Sequence, residues 1–214
     1  MFSKFLNLEK EKQDRIINAA LKEFAQKGYD NASTNEIVRS AEISKGLLFH
    51  YFTNKKQLFL FLYDYCVDLT MEEFFSKIDF EEKDFFIRMR QSIIIKMELL
   101  LKYPEMIKFL GIALIENSSE IKDYLSNNIK ELMVNSYIRM FQNIDVSKFK
   151  ENMDIEKIIN IITWTLEGLS TKLIEKMKLS SSKQSALDNA FAETDILYAE
   201  ADIYIEMLKN SFYK

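Results

Sequence analysis

Apolar residues recur at spacings of three and four along most of the chain. From Arg15 onward, Ile16, Ile17, Ala20, Leu21 and Phe24 fall on one face, followed by Gly28, a residue free to take the left-handed conformation of a helix C-cap. The pattern predicts a helix from about Glu9 to Lys27. Ser33 with Glu36 three residues on has the form of a capping box and predicts a second helix from Thr34 to about Ser40. After Ala41-Glu42-Ile43, Ser44 offers an N-cap for a third helix. Asn54 with Gln57 offers one for a fourth, which runs on through Leu58, Leu62, Cys66 and Leu69. Residues 82–102 and 105–115 read as helices parted by Tyr103-Pro104, because proline suits a first helical turn and discourages continuation of the helix before it. Asn117 and Glu120 open a helix reaching about Gln142, with Ile121, Tyr124, Leu125, Leu132 and Met140 among its apolar positions. Asp154 to Lys178 forms the next, a Ser-rich break spans Ser180 to Ser185, and a last helical stretch ends near Phe212. The expected fold is all-α, with about nine helices.

Composition strengthens this. Four glycines and one proline among 214 residues leave few helix breakers. The longest apolar run, Phe109 to Ile115, is far short of the ~20 residues that a membrane-spanning helix needs. The one cysteine, Cys66, cannot form an internal disulfide, and the N-terminus lacks an apolar leader with a cleavage site, so a cytoplasmic location is expected. The net charge of −4 looks unsuited to nucleic acid until it is divided along the chain. Residues 1–58 carry ten Lys and Arg against seven Asp and Glu, and the remainder nineteen against twenty-six. Only the N-terminal part has the sign that phosphate needs.

That part also contains two short helices joined by a three-residue turn, with Ile37, Ala41, Ile43, Leu48 and Tyr51 spaced to close a small core. The spacing is that of a helix-turn-helix, although short amphipathic helices also pack in proteins that touch no DNA. Residue identity separates the two readings. The run Ala41-Glu42-Ile43-Ser44-Lys45-Gly46-Leu47-Leu48-Phe49-His50-Tyr51-Phe52, followed by Lys55 and Leu58 and preceded by Gly28-Tyr29 and Thr34-x-x-Ile37, resembles the signature of the tetracycline-repressor (TetR) family. The one departure is Glu42, where that family usually has glycine, and a β-carbon there costs up to ~1 kcal/mol if the turn needs a positive φ.

The resemblance implies an N-terminal three-helix DNA reader, residues 1–53, and a helical effector-binding and dimerisation domain, residues 54–214. In the reader, Gly46 lets backbone approach the groove closely, or else permits tight helix packing. Lys45 beside it suits a phosphate, and Leu47 a thymine methyl. Ser44, His50 and Tyr51 can donate to phosphates or base edges. The lone histidine is otherwise a solvated or structural residue. Ser33 and Thr34 lie at one helix N-terminus and Lys55 at another, where an anion is favoured, with capping or a solvated charge as the alternative.

For the body, the resemblance implies a homodimer formed through the last two long helices. Trp164, Gly168 and Leu169, within the stretch Ile161 to Ser170, are expected to face Tyr198, Ala201 and Ile205 of the final helix, which also offers Leu187, Phe191 and Leu208. Periodicity alone fits an intramolecular core equally well. Tyr63, Cys66, Met89, Ile93, Met97, Met106, Leu110, Tyr137 and Trp164 place aromatic and sulfur groups along the body and are the candidates for an apolar or aromatic effector, again with core packing as the alternative. No basic cluster in these faces would neutralise a phosphorylated effector. The implied mechanism is ligand-controlled spacing of two recognition helices on operator DNA, with the fourth helix as lever, and repression as the family's usual output. Catalysis is not expected: one His and one Cys preclude a His/Cys-rich metal cage, and neither a Gly-rich phosphate loop nor a nucleophile elbow occurs, so no cofactor is implied. A helical interaction module without DNA binding is the remaining alternative.

Overall fold

The computed structural model of the chain describes residues 2–180 and 186–214. Among these, ten α-helices are present: α1 (Ser3–Leu6), α2 (Lys10–Asn31), α3 (Thr34–Ser40), α4 (Lys45–Phe52), α5 (Lys55–Phe75), α6 (Phe85–Lys102), α7 (Pro104–Ile115), α8 (Lys122–Phe141), α9 (Ile155–Ser180) and α10 (Ala186–Phe212). The β-type pairing among the described residues is a single bridge between Phe149 and Tyr213. The expected all-α class holds, and the helix absent from the sequence reading is α1. Four residues are too short for a periodic signal, yet Phe5 within it is fully buried against Phe52 (4.8 Å between ring centroids) and Phe61 (5.2 Å). Residues 181–185 of the expected Ser-rich break, and the side chains of Ser170, Leu187 and Phe191, lie outside the described residues.

Several boundaries follow from the caps expected. Ser44 accepts the Leu47 N–H (3.2 Å), Asn54 accepts the Gln57 N–H (2.8 Å), and Pro104 opens α7. Others differ. Gly28 does adopt a positive φ of 69°, but helical turns resume after it, so α2 is kinked rather than ended there. The proposed capping box does not form: the Ser33 side chain makes no cap bond, its N–H donates to Glu23 Oε1 (2.8 Å), and Glu36 pairs with Arg39 instead. In the loop before α8, Glu116 accepts the N–H groups of Asn117 (2.9 Å) and Ser118 (3.0 Å), and the Ser118 carbonyl closes the first turn by accepting the N–H groups of Ile121 (3.1 Å) and Lys122 (2.9 Å).

The contacts divide the chain into two compact units, residues 1–76 with 99–140, and residues 77–98 with 141–214. The division does not follow the functional boundary expected at residue 53. In the first unit α5 shares a core with α2 and α7, where Phe24, Phe59 and Phe109 meet at 5.0–6.3 Å between centroids. The second unit is built on Phe85, Phe86, Phe149 and Tyr213, with Ile158, Ile162 and Leu166 of α9 against Ala201 and Ile205 of α10.

Two buried charged groups stitch this second core. Arg88, 1% exposed, donates to the carbonyls of Gln142 (2.8 Å), Phe80 (3.1 Å) and Glu82. Asp84 caps α6, accepting the N–H groups of Phe86 (2.9 Å) and Ile87 (3.2 Å), and takes a third bond from Lys148 Nζ (2.8 Å). Burial alone would push the Asp84 carboxyl up, but the Lys148 ammonium and the two backbone donors outweigh it and hold it below the usual carboxylate range. A carboxyl depressed by folding contributes stability that is present above its unfolded value of about 3.9 and is lost as pH falls through the folded value. Urea unfolding followed between about pH 2 and pH 6 should therefore show a shallower acid limb in Asp84→Asn than in the wild type. Parallel acid limbs would show that Asp84 is not the linked group.

Candidate nucleic-acid interface

The geometry of the N-terminal pair is set by how α3 ends. Ser40 is its last residue and Ala41 its C-cap, the Ile43 N–H returns to the Val38 carbonyl (3.1 Å) and the Glu42 N–H to that of Arg39 (3.3 Å), with Glu42 at φ 53°. This is a Schellman ending, whose left-handed position glycine normally fills. The turn does need a positive φ, and Glu42 supplies it at the cost of a β-carbon. The chain then reverses through Ile43, and Ser44 starts α4. Ile37, Ala41, Leu48, Tyr51 and Phe52 are buried between the two helices and α1, so the core expected from spacing is present, with Ile43 half-buried at its margin.

What remains outside is narrow. Ser44, Lys45, Gly46 and His50 are exposed on α4, and Leu47 is half-exposed beside them. No atom lies within 4 Å of where a β-carbon on Gly46 would sit, so packing within the chain gives no reason for glycine there. Lys45 Nζ lies 5.9 Å from the Phe49 ring centroid. Ser33 and Thr34 are half-exposed at the start of α3.

Two of the expected contact residues are turned elsewhere. Tyr51 is 9% exposed, and its ring lies 6.0 Å from that of Phe5 and 6.4 Å from that of Phe52, so it serves the core that holds α4. Lys55 Nζ donates to the carbonyls of Asp30 (3.1 Å) and Ala32 (3.4 Å) and sits 4.7 Å from the Tyr29 ring centroid. Its charge satisfies the end of α2 rather than projecting outward.

The effector candidates scatter. A cavity of about 170 Å³ in the first unit is walled by Tyr63, Val67 and Met71 of α5, Leu110 and Leu114 of α7, and Met133 of α8. Tyr63 and Leu110 were expected there. Burial, and then the Asp64 carboxylate, push the Tyr63 phenol up. Cys66 and Met106 are instead packed in the surrounding core, and Met89, Ile93 and Met97 belong to the core of the second unit. Tyr137 and Trp164 are 40% and 67% exposed. The aliphatic lining was missed because at helical spacing it is indistinguishable from core.

The expected dimer residues divide in the same way. Leu169, Ala201 and Ile205 are buried within their own chain and Tyr198 is half-buried against them, which is the core alternative. Trp164 and Gly168 face outward with Ile161 at spacings of three and four, and α10 exposes Ile203, Tyr204 and Met207.

Replacing Glu42 by glycine should relieve the left-handed strain of ~1 kcal/mol while losing only a loose surface pair with Arg15 (3.7 Å). A melting temperature raised by about 2–3 °C is expected for a chain of this length. An unchanged or lowered value would mean that the turn is not strained.

Residues 16–62 match the model of the bacterial regulatory proteins of the tetR family. Over 61 residues the chain is 48% identical to the uncharacterized HTH-type transcriptional regulator YuxN of Bacillus subtilis, a stretch that covers 28% of this chain and about a fifth (21%) of that protein. Two solved structures share the fold along nearly the whole chain. A TetR family transcriptional regulator from Chloroflexus aurantiacus has a TM-score of 0.67 at 20% identity, covering 99% of this chain and 98% of the other. The SmeT-triclosan complex has 0.63 at 16%, covering 96% and 93%. The signature in α3 and α4 falls within the matched segment, so the likeness to the tetR family of bacterial regulatory proteins rests on residues 16–62, and the rest of the chain shares the fold of the two solved structures.

Proposed function

We propose that the chain is a repressor that binds a palindromic stretch of double-stranded DNA as a homodimer and is released by a small, neutral, apolar effector. The outer face of α4 carries this reading: hydroxyl, ammonium, bare backbone and imidazole stand exposed together at Ser44, Lys45, Gly46 and His50. The first three suit a phosphate, Leu47 suits a thymine methyl, and His50 suits a base edge or phosphate. Residues 1–53 act as reader and 54–214 as effector-binding and dimerising body. Because Tyr51 and Lys55 are held by internal partners, they act by fixing α4 and the end of α2.

A palindrome one helical turn between half-site centres, about 34–36 Å, calls for two readers. The exposed apolar stripe of Ile161, Trp164, Ile203, Tyr204 and Met207 on α9 and α10, with Gly168 admitting close approach, supports a helical interface between two copies. The effector reading rests on the cavity. Its walls are apolar, and at about 170 Å³ it is comparable with the ~150 Å³ that accommodates a single aromatic ring. A neighbour of the same fold solved as a triclosan complex is consistent with an aromatic ligand. Helix α5 starts at the reader and supplies one cavity wall, so a ligand that binds one spacing of the readers better than the other shifts the equilibrium between them.

Three measurements test the reading. On a duplex recovered by selection from random sequence, Lys45→Ala should weaken binding across sequences and lower the salt slope by roughly 1. An unchanged slope removes the phosphate contact, and failure to select any duplex removes the function. Sedimentation at micromolar concentration should show a wild-type dimer and a monomeric Trp164→Arg. A monomeric wild type or an undisturbed variant would place the interface elsewhere. Toluene and 1-hexanol should raise the melting temperature and weaken binding to the selected duplex, whereas hexanoate and glucose 6-phosphate should do neither. Release by the charged compounds alone would sink the effector class.

A further inference from the structure

The kink in α2 frees a backbone donor, and the structure shows what takes it. With Gly28 at φ 69° the helical ladder is interrupted, and the Tyr29 N–H donates to Glu116 Oε2 (2.9 Å), 87 residues away in sequence. The other oxygen of the same carboxylate accepts the N–H groups of Asn117 and Ser118, so Glu116 joins the end of α2 to the first turn after α7. The Tyr29 hydroxyl, on a side chain 2% exposed, donates to the carboxylate of Glu120 in the same loop. Lys55 covers the ring of Tyr29 and holds the carbonyls of Asp30, in the last turn of α2, and Ala32, just beyond it. On the other side, Glu116 follows directly on α7, the helix whose Leu110 and Leu114 wall the cavity.

We infer that Glu116 and Glu120 form a latch on Tyr29 that transmits displacement of the cavity wall to the junction of α2 and α3, a route to the reader separate from α5. The inference rests on the proposed effector cavity. The loop carrying both carboxylates is the C-terminal continuation of the wall helix, so a ligand that moves α7 pulls on the end of α2, two residues before the reader's first DNA-facing helix begins. Glycine at position 28 fits the same arrangement, because the left-handed backbone angle that frees the Tyr29 N–H disfavours any other residue. The carboxylates lie at the protein surface, Glu120 exposed and Glu116 half-exposed, so their removal strands no buried charge. The latch is thus separable from the stability of the core.

Hydrogen exchange of backbone amides tests this without a known ligand or operator. Tyr29→Phe deletes one hydroxyl and Glu116→Ala one carboxylate. Each should speed exchange at residues 29–37 at least tenfold while changing residues 67–71 and 110–114 less than twofold. Leu110→Phe, which adds volume to the cavity wall in place of a ligand, should alter exchange at 29–37 in the wild-type background and lose that effect in the Glu116→Ala background. The latch is overturned if residues 29–37 keep their wild-type protection in both variants, if protection falls equally throughout the first unit, or if the Leu110→Phe response survives Glu116→Ala. Binding to the selected duplex is measured in parallel. A wild type that fails to bind DNA while showing the exchange pattern would reject the repressor reading and leave the latch standing.

Discussion

The contact on which the first unit depends is the meeting of Phe24, Phe59 and Phe109. One ring comes from α2 behind the reader, one from α5, and one from the helix that walls the cavity. Aromatic side chains of this size dominate core energetics, and edge-to-face pairs add roughly 0.5–1.5 kcal/mol beyond the area they bury. The α3–α4 pair is therefore not a separate bead on the chain. Helix α2, which supports the pair, and the cavity wall share one close-packed core, and such interiors transmit displacement because they hold few voids to absorb it.

Around that core the outward-facing chemistry is sparse. The left-handed residue at position 42 turns the chain from α3 into α4, and α1 braces the back of α4 through Phe5. The exposed positions of α4 are what this bracing leaves over. Buried residues such as Tyr51 thus set the angle at which α4 is held.

The fold class, the caps at Ser44 and Asn54, the break before Pro104 and the small core of the α3–α4 pair were legible in the sequence, because each rests on a local rule: a periodicity, a cap or a helix breaker. The positive φ at Glu42 was legible only as a condition, through comparison with a family that places glycine there. The cavity was not legible. Val67, Met71 and Leu114 have the spacing and chemistry of core residues, and only three-dimensional packing decides which apolar faces leave a void between them. The division of α9 and α10 into inner and outer faces failed for a related reason. Leu169 and Ala201 satisfy the same period whether they face their own chain or another, and the inward solution won because Ile158, Ile162 and Ile205 close around them. The internal partners of Tyr51 and Lys55 were not legible from motif position, which records that a residue type recurs but not the direction in which it points.

The discontinuous make-up of the first unit bears on how the chain is synthesised. Residues 1–76 emerge from the ribosome with Phe24 and Phe59 in place, but Phe109, which completes their cluster, follows only after the 22 residues 77–98 assigned to the other unit. At ~5–20 residues per second, the interval from residue 76 to the end of α7 at Ile115 lasts about 2–8 s. During it Phe24 and Phe59 lack the Phe109 contact, an interval long compared with the microseconds in which helices form and chains collapse. A product truncated before α7 accordingly leaves Phe24 and Phe59 without the ring that covers them, and the support of the α3–α4 pair and the cavity wall come to share one core only once α7 has emerged.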